Sequence, residues 1–173
     1  VLYLKGISAG NFQDALSALN PVLHVGDQIA EMFRVHRGAG KAAAKEEALA
    51  VLRRVGIPGA ADRYDSYPHQ FSGGMRQRIM IAMMIALKPR VLIADEPTTA
   101  LDVTVQAQIM DLLQELQEES GMGLILITHD LGVVADVADR ISVMYAGRMM
   151  EAGPVADIYG HTANPYTRSL LQS

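Results

Sequence analysis

Two adjacent acidic residues, Asp95 and Glu96, follow the apolar run Val91–Ala94 and stand directly before Pro97. The run predicts a buried strand, which delivers both carboxylates at its carboxyl end. An acid there can hold Mg²⁺ directly or through water, and its neighbour can face an attacking water as a base. The pair therefore suits a nucleotide–magnesium site. In a plainer interpretation both acids cap the next element, with Pro97 in its first turn.

A second candidate site lies in the segment FSGGMRQR at residues 71–78, directly before the apolar stretch Ile79–Leu87. We expect a helix to begin at Ser72, Gly73 and Gly74, where free backbone N–H groups and the positive dipole end attract anions. Glycine also lets a phosphate approach the backbone closely. In the plainer interpretation, which the segment favours when taken alone, Ser72 is an ordinary N-cap and the glycines form a loop.

The spacing of apolar residues predicts the elements that position these groups. Val91–Ala94 and Leu124–Thr128 predict two strands, the second ending in His129 and Asp130. A helix from about Asp102 to Glu118 is predicted between them by one apolar face, formed by Val105, Ile109, Leu112, Leu113 and Leu116. Strand, helix and strand in this order form a parallel crossover unit, so both charged strand ends lie at the sheet edge where ligands bind.

The remaining segments complete an α/β pattern. Lys41–Val55 is rich in Ala, Glu, Leu and Arg and predicts a helix, which the sequence GIPG at 56–59 ends. Ile141–Met144 and Arg148–Glu151 predict a late strand pair joined through Ala146 and Gly147. The first half of the chain is therefore expected to be mainly helical, and the second half to carry the sheet.

The composition excludes several classes of protein. Of the 173 residues, 50% are hydrophobic and 20% are charged, which provides a buried core and excludes intrinsic disorder. Lys and Arg number 15 against 19 Asp and Glu, and this net charge of −4 argues against binding to nucleic-acid phosphates. The longest apolar run, Ile79–Leu87, is about half the roughly 20 residues that span a bilayer. The absence of cysteine excludes disulfides and thiolate metal sites within these residues.

Five motifs in one order identify a family resemblance: FQD, SGGMRQR, LIADEP, TALD and ITHD. Between about Phe12 and Leu171 the sequence resembles the ATP-binding subunit of ABC transporters, and most of all the oligopeptide, dipeptide and nickel importer branch. The resemblance implies a P-loop NTPase-like ABC ATPase domain with a mainly parallel sheet core and an inserted helical subdomain. On that basis residues 1–173 are part of one domain. Its helical and signature region spans about 14–90, its sheet core about 91–151, and the start of a C-terminal extension about 152–173.

The resemblance also implies roles at the chain's own nucleotide site. Asp95 matches the Walker B aspartate that helps to hold Mg²⁺ with ATP, and Glu96 matches the catalytic glutamate that orients or deprotonates the attacking water. His129 matches the switch histidine, which contacts the γ-phosphate. Gln13 matches the Q-loop glutamine, which links the magnesium–nucleotide site to the membrane partner.

Other roles concern a second subunit. Ser72, Gly73 and Gly74 match the signature motif, which contacts the γ-phosphate of ATP held by the opposite subunit. Met75 stands where the general signature has glutamine, a change typical of this importer branch. Asp102 closes the D-loop, which crosses the dimer interface.

One expected motif is missing. Nothing in the 173 residues matches G-x-x-x-x-G-K-[ST], the loop that cradles the β- and γ-phosphates of ATP. We therefore expect a fragment that lacks the Walker A region and the C-terminal tail, and that binds ATP weakly or not at all by itself.

The resemblance implies an ATPase subunit that drives the import of di- or oligopeptides or nickel by ATP-dependent dimer closure. Its partners would be a second ABC ATPase subunit, two transmembrane permease subunits and, indirectly, an extracytoplasmic substrate-binding protein, with no nucleic acid. It would lie peripherally on the cytoplasmic face of the inner membrane.

Two alternatives stay open. One is an ABC-type ATPase of DNA maintenance, against which the negative charge and the lack of a long heptad stretch argue. The other is a non-catalytic or degenerate ABC subunit that acts only as a dimer partner. The missing phosphate loop favours this second alternative, whereas Glu96 and His129 argue against it.

Overall fold

The computed structural model describes residues 2–4, 7–9, 18–98 and 101–172, and it divides into two compact units, Val1–Ile127 and Thr128–Ser173. The first unit opens with two short antiparallel strands, β1 (Leu2–Leu4) and β2 (Ile7–Ala9). Among the described residues, no helix is both long and apolar enough to cross a membrane.

A helical region follows in the first unit. Its elements are α1 (Val25–Arg37), α2 (Lys41–Arg54), α3 (Ala60–Arg63), a 3-10 turn (Pro68–Gln70) and α4 (Gly73–Ile85). The helix predicted over Lys41–Val55 is confirmed as α2, whose Ala, Glu, Leu and Arg residues favour the helix intrinsically. Large apolar side chains of this region are fully buried, and they include Ile29, Phe33, Leu52, Ile79 and Ile81.

The predicted crossover unit is confirmed in β3 (Val91–Asp95), α5 (Val103–Ser120) and β4 (Gly123–Ile127). The two strands pair in parallel, from Val91 opposite Gly123 to Asp95 opposite Ile127. The helix buries the face expected from its apolar spacing, namely Ile109, Leu112, Leu113 and Leu116. This unit confirms the α/β fold class and places both strand ends at one edge of the pair.

The second unit is built on an antiparallel hairpin. Its elements are α6 (Leu131–Val137), β5 (Arg140–Tyr145), β6 (Arg148–Pro154), α7 (Val155–His161) and α8 (Pro165–Leu171). Ala146 and Gly147 form the turn between β5 and β6 with φ angles of 47° and 75°, as a tight hairpin requires. Ile141, Val143 and Ile158 form a small core, covered by Val134, Val155, Tyr166 and Leu170. The predicted late strand pair is confirmed.

Candidate functional site

The two acids predicted to carry chemistry lie together at the carboxyl end of β3. Asp95 is the last residue of the strand and stands opposite Ile127, the last residue of β4. The backbone N–H of Glu96 donates a hydrogen bond to the Ile127 carbonyl oxygen, with 2.8 Å between nitrogen and oxygen. Both acidic residues are half-buried. The end of β4 therefore fixes the point at which the chain leaves β3.

Glu96 adopts a left-handed backbone conformation with a φ of 51°. This region is costly for residues other than glycine, because the side-chain Cβ approaches the following carbonyl oxygen. Residues held in such conformations occur disproportionately at functional sites. Glu96 adopts this conformation at the point where its N–H is hydrogen-bonded to the end of β4.

The turn after Glu96 is held by the helix that follows it. Asp102 is the N-cap of α5, and its carboxylate accepts a hydrogen bond from the Val105 N–H at 2.9 Å. The N–H of Leu101 and the side-chain amide of Gln106 each donate to the Thr98 carbonyl oxygen at 3.2 Å. Since Asp102 caps α5, the interpretation that Asp95 and Glu96 merely cap the next element is wrong.

Ser72 is the N-cap of α4, as the plainer interpretation of this segment predicts. Its hydroxyl oxygen accepts a hydrogen bond from the Met75 N–H at 3.3 Å. A serine hydroxyl has one donor as well as two acceptor positions, so capping leaves its proton available. Because Ser72 is exposed, this hydroxyl can donate to an anion while it caps the helix.

The two glycines after Ser72 belong to the first turn of α4, so the alternative that they form a loop is wrong. Both approach the start of α5 closely. A Cβ atom on Gly73 would lie 3.4 Å from Cδ2 of Leu101, and one on Gly74 would lie only 2.6 Å from Cγ1 of Val105. The candidate anion-binding residues are thereby placed beside the turn that follows Glu96.

His129 lies in the second unit, exposed and directly before the N-cap of α6. That cap is Asp130, whose carboxylate accepts hydrogen bonds from the N–H groups of Gly132 and Val133 at 2.9 and 3.4 Å. The hydroxyl of Thr128 accepts one from the Asp130 N–H at 3.0 Å. The residues on both sides of His129 therefore have defined backbone positions.

Some predicted positions fall outside the described residues. Gln13 is one of them, and Thr99 and Ala100 of the TALD motif are two others. Sequence reasoning in turn missed Gln106, although its place four residues after the Asp102 cap put it within reach of the preceding turn. Val105 was expected only as part of an apolar helix face, and its contact with Gly74 was not predicted.

The donor set fits a magnesium–polyphosphate group. No group of three or more His, Cys, Asp or Glu side chains suitable for a metal occurs in the part of the chain that the structure describes. Mg²⁺ usually binds one or two carboxylates together with phosphate oxygens and water. Asp95 and Glu96 can supply these carboxylates. The free hydroxyl proton of Ser72 at the positive end of α4 fits a phosphate oxygen.

A cavity of about 460 Å³ lies elsewhere in the first unit. Its lining includes Lys88 and Arg90 before β3 and Met122 before β4. These residues stand at the amino ends of the strands, whereas ligands of parallel sheets bind at the carboxyl ends. The cavity is therefore separate from the candidate site.

Comparison with known proteins finds similarity to ABC transporter proteins. The family model described as ABC transporter matches residues 5–99. The dipeptide transport ATP-binding protein DppD of Bacillus subtilis is 57% identical over 162 residues, which cover 94% of this chain and 48% of that protein. The chain thus spans about half the length of the curated relatives it matches.

Solved structures agree with this result. The cbiO1 protein of Clostridium perfringens, part of the ABC transporter complex cbiONQ, matches with a TM-score of 0.76 and 31% identity, covering 89% of this chain and 60% of that one. The ATP-binding cassette MJ0796, in a dimeric post-hydrolysis state bound to ADP and phosphate, matches with a TM-score of 0.73 and 29% identity. That match covers 87% of this chain and 64% of MJ0796.

Proposed function

This chain belongs to the ABC transporter family, and on that premise we propose that its protein is the ATP-binding and ATP-hydrolysing subunit of an importer. The observation that carries the proposal is the edge of β3 and β4, where Asp95 and Glu96 leave the sheet together and Ile127 holds the Glu96 backbone. Ligands bind at this edge of a parallel sheet. Two consecutive acids there suit metal binding and the activation of water in phosphoryl transfer.

In the proposed reaction, Asp95 and Glu96 at this edge have separate tasks. Asp95 helps to hold Mg²⁺, which neutralises charge on the phosphate oxygens. Glu96 orients or deprotonates the water that attacks the γ-phosphorus. The hydrogen bond from its N–H to the Ile127 carbonyl oxygen holds its backbone nitrogen at the sheet edge. His129 contacts the γ-phosphate, and Gln13 links this site to the membrane partner.

We assign the signature segment to the ATP of a second subunit. Two subunits enclose two ATP molecules, and Ser72, Gly73 and Gly74 of each face the γ-phosphate bound by the other. The exposed hydroxyl of Ser72 and the positive dipole end of α4 support contact with an anion. Asp102 lies in the loop that crosses between the subunits. Closure on ATP and reopening after hydrolysis form the transport cycle.

The proposed cargo is a di- or oligopeptide, which the name of the Bacillus subtilis relative supports, and nickel is the alternative cargo of the same branch. The proposed partners are a second ABC ATPase subunit, two transmembrane permease subunits and, indirectly, an extracytoplasmic binding protein. Residues around 14–70 transmit the motion to the permease. The protein then works peripherally on the cytoplasmic face of the inner membrane.

A second candidate is a subunit that forms the dimer without hydrolysing ATP. The 173 residues contain no G-x-x-x-x-G-K-[ST] loop, which holds the β- and γ-phosphates, and a complete protein without that loop would be such a subunit. The two candidates differ in whether the complete reading frame encodes such a loop.

The test is transport and ATP turnover by the protein expressed from its complete reading frame and reconstituted with its permease in vesicles. Dipeptides, longer peptides and nickel are offered separately with MgATP. We expect ATP hydrolysis that rises when one of these cargoes and its binding protein are present. Assembly with the permease without any ATP turnover would support the non-catalytic subunit instead.

A further inference from the structure

The close approach of Gly74 and Val105 joins two parts of the candidate site within one chain. Gly74 lies in the first turn of α4, next to Ser72, and Val105 lies in the first turn of α5, next to the turn that follows Glu96. An ideal Cβ on Gly74 would lie 2.6 Å from Cγ1 of Val105, a separation that real Cβ atoms essentially never show. The backbone of α4 therefore rests directly on the Val105 side chain.

The Val105 side chain cannot easily rotate away from Gly74. A valine in a helix has one strongly preferred rotamer, because its Cβ carries two heavy atoms that crowd the preceding turn. Its Cβ and its second methyl, Cγ2, would both lie 3.8 Å from the same Cβ position, so Cγ1 makes the close contact and the branch point stands directly behind it. The Val105 N–H is itself fixed by the Asp102 carboxylate at 2.9 Å.

Gln106, the residue after Val105 in α5, contacts the turn that follows Glu96. Gln106 donates from its side-chain amide to the Thr98 carbonyl oxygen at 3.2 Å, two residues beyond Glu96. Val105 and Gln106 thus contact the signature segment on one side and the turn after Glu96 on the other. The first turn of α5 therefore connects the signature segment to the turn after Glu96 within one chain.

We infer that Val105 is a positioning residue, which sets where the amino end of α4 lies relative to the Glu96 turn, and that Gly74 is required by this contact within the chain. The inference rests on the proposed function for its enzymatic consequence. The general requirement for glycine near a phosphate concerns a group outside the chain. The contact with Val105, in contrast, lies within the chain, so it requires glycine at position 74 independently of any phosphate.

The test is a double-mutant cycle in the complete protein with its permease, using Gly74→Ala, Val105→Ala and the combination of both. Gly74→Ala should displace α4 by roughly 1 Å and lower kcat for ATP by about 10- to 100-fold, since misplacement of this size costs up to ~10²-fold. The KM for ATP should not change. In the double variant the Val105 methyls are gone, and the part of the rate loss that comes from the displaced helix should return. Gly160→Ala is the matched control, because a Cβ at Gly160 meets nothing within 4 Å.

A conservative variant separates shape from chemistry. Val105→Thr keeps a branched Cβ, so Gly74→Ala combined with Val105→Thr should stay as slow as Gly74→Ala alone. If Val105→Ala also fails to restore the rate, Gly74 is needed for something other than Val105 and the inference is overturned.

A measurement that does not involve ATP tests this inference separately from the proposed function. Urea unfolding of the same four proteins should show that Gly74→Ala destabilises the parent more than it destabilises the Val105→Ala background. If that difference is found but no variant or parent hydrolyses ATP, the proposed function fails and the packing contact stands. Equal destabilisation in both backgrounds overturns the contact whatever the ATPase result.

Discussion

The N–H of Glu96 donates to the carbonyl oxygen of Ile127 at 2.8 Å and ties the first residue after β3 to the last residue of β4. The parallel ladder therefore extends one residue past Asp95, into a position where φ is 51°. A residue with a Cβ atom adopts this angle only at a cost of about 1–2 kcal/mol. The half-buried acid that we propose as the base thus has an unfavourable backbone conformation at the point where the chain leaves the sheet.

This conformation predicts an unusual order of stabilities at position 96. Glu96→Gly should be more stable than Glu96→Ala by about 1 kcal/mol, because both remove the carboxylate but only glycine accepts the left-handed angle freely. Urea unfolding of the two variants measures the difference directly.

The neighbouring acid provides the control for that pair. Asp95 belongs to β3, where glycine is unfavourable, so Asp95→Ala should be more stable than Asp95→Gly. An alanine variant at position 96 that matched or exceeded the glycine variant would show that Glu96 is not held in a left-handed conformation.

The sequence was sufficient to predict the elements but not the close contacts between them. The apolar spacing of α5 and the runs of β3 and β4 predicted the crossover unit, because side-chain periodicity is a local property. Ser72 was also predictable as an N-cap. The left-handed angle at Glu96 was not, since nothing in the local pattern requires it, and the sheet edge where it occurs pairs residues 31 positions apart. Likewise, nothing in the local pattern showed that Gly74 meets Val105.

A substitution at Ser72 tests the assignment of the signature segment to the opposite subunit. Ser72→Arg puts a long cation in place of the cap and removes the hydroxyl donor, so hydrolysis should be lost at the partner's site. ATP binding at the chain's own site should persist. Mixed dimers of one Ser72→Arg subunit and one Glu96→Gln subunit, with ATP binding followed by a fluorescent analogue, distinguish the two sites. Loss of binding in the subunit that carries Ser72→Arg would contradict the assignment.

The isolated 173-residue chain should bind MgATP weakly or not at all. No segment within it supplies the lysine and glycine-rich backbone that hold the β- and γ-phosphates. Calorimetric titration of this chain with MgATP should therefore give no measurable heat at micromolar concentration. Micromolar binding would mean that the residues described here form a nucleotide site without that loop.

In the second unit, Glu151 of β6 predicts a pH dependence that is independent of nucleotide. The hydroxyls of Thr167 and Thr162 and the N–H of Ala163 favour its ionised form and lower its pKa from 4.5 to about 2. A pKa that is lower in the folded protein gives a contribution to stability that is complete above pH 4.5 and is lost as the pH falls towards 2.

Carboxyl-carbon NMR should accordingly find a titration midpoint near 2 for Glu151. Glu151→Gln should destabilise the protein at pH 7 and progressively less towards acid pH. Glu47→Gln, at an exposed position of α2, provides the matched control for removal of a charge. A destabilisation by Glu151→Gln that stays constant with pH would show that its ionised form is not the favoured one.

The central claim is that Glu96 activates the attacking water, and Glu96→Gln in the complete protein with its permease tests it most directly. Glutamine keeps the size of the side chain but removes the base, so kcat for ATP should fall by about 10²- to 10⁴-fold. ATP binding should be retained and the closed dimer should accumulate. Glu115→Gln, the same change at an exposed position of α5, should leave turnover unaltered. ATP turnover by Glu96→Gln equal to that of the parent protein would contradict the account.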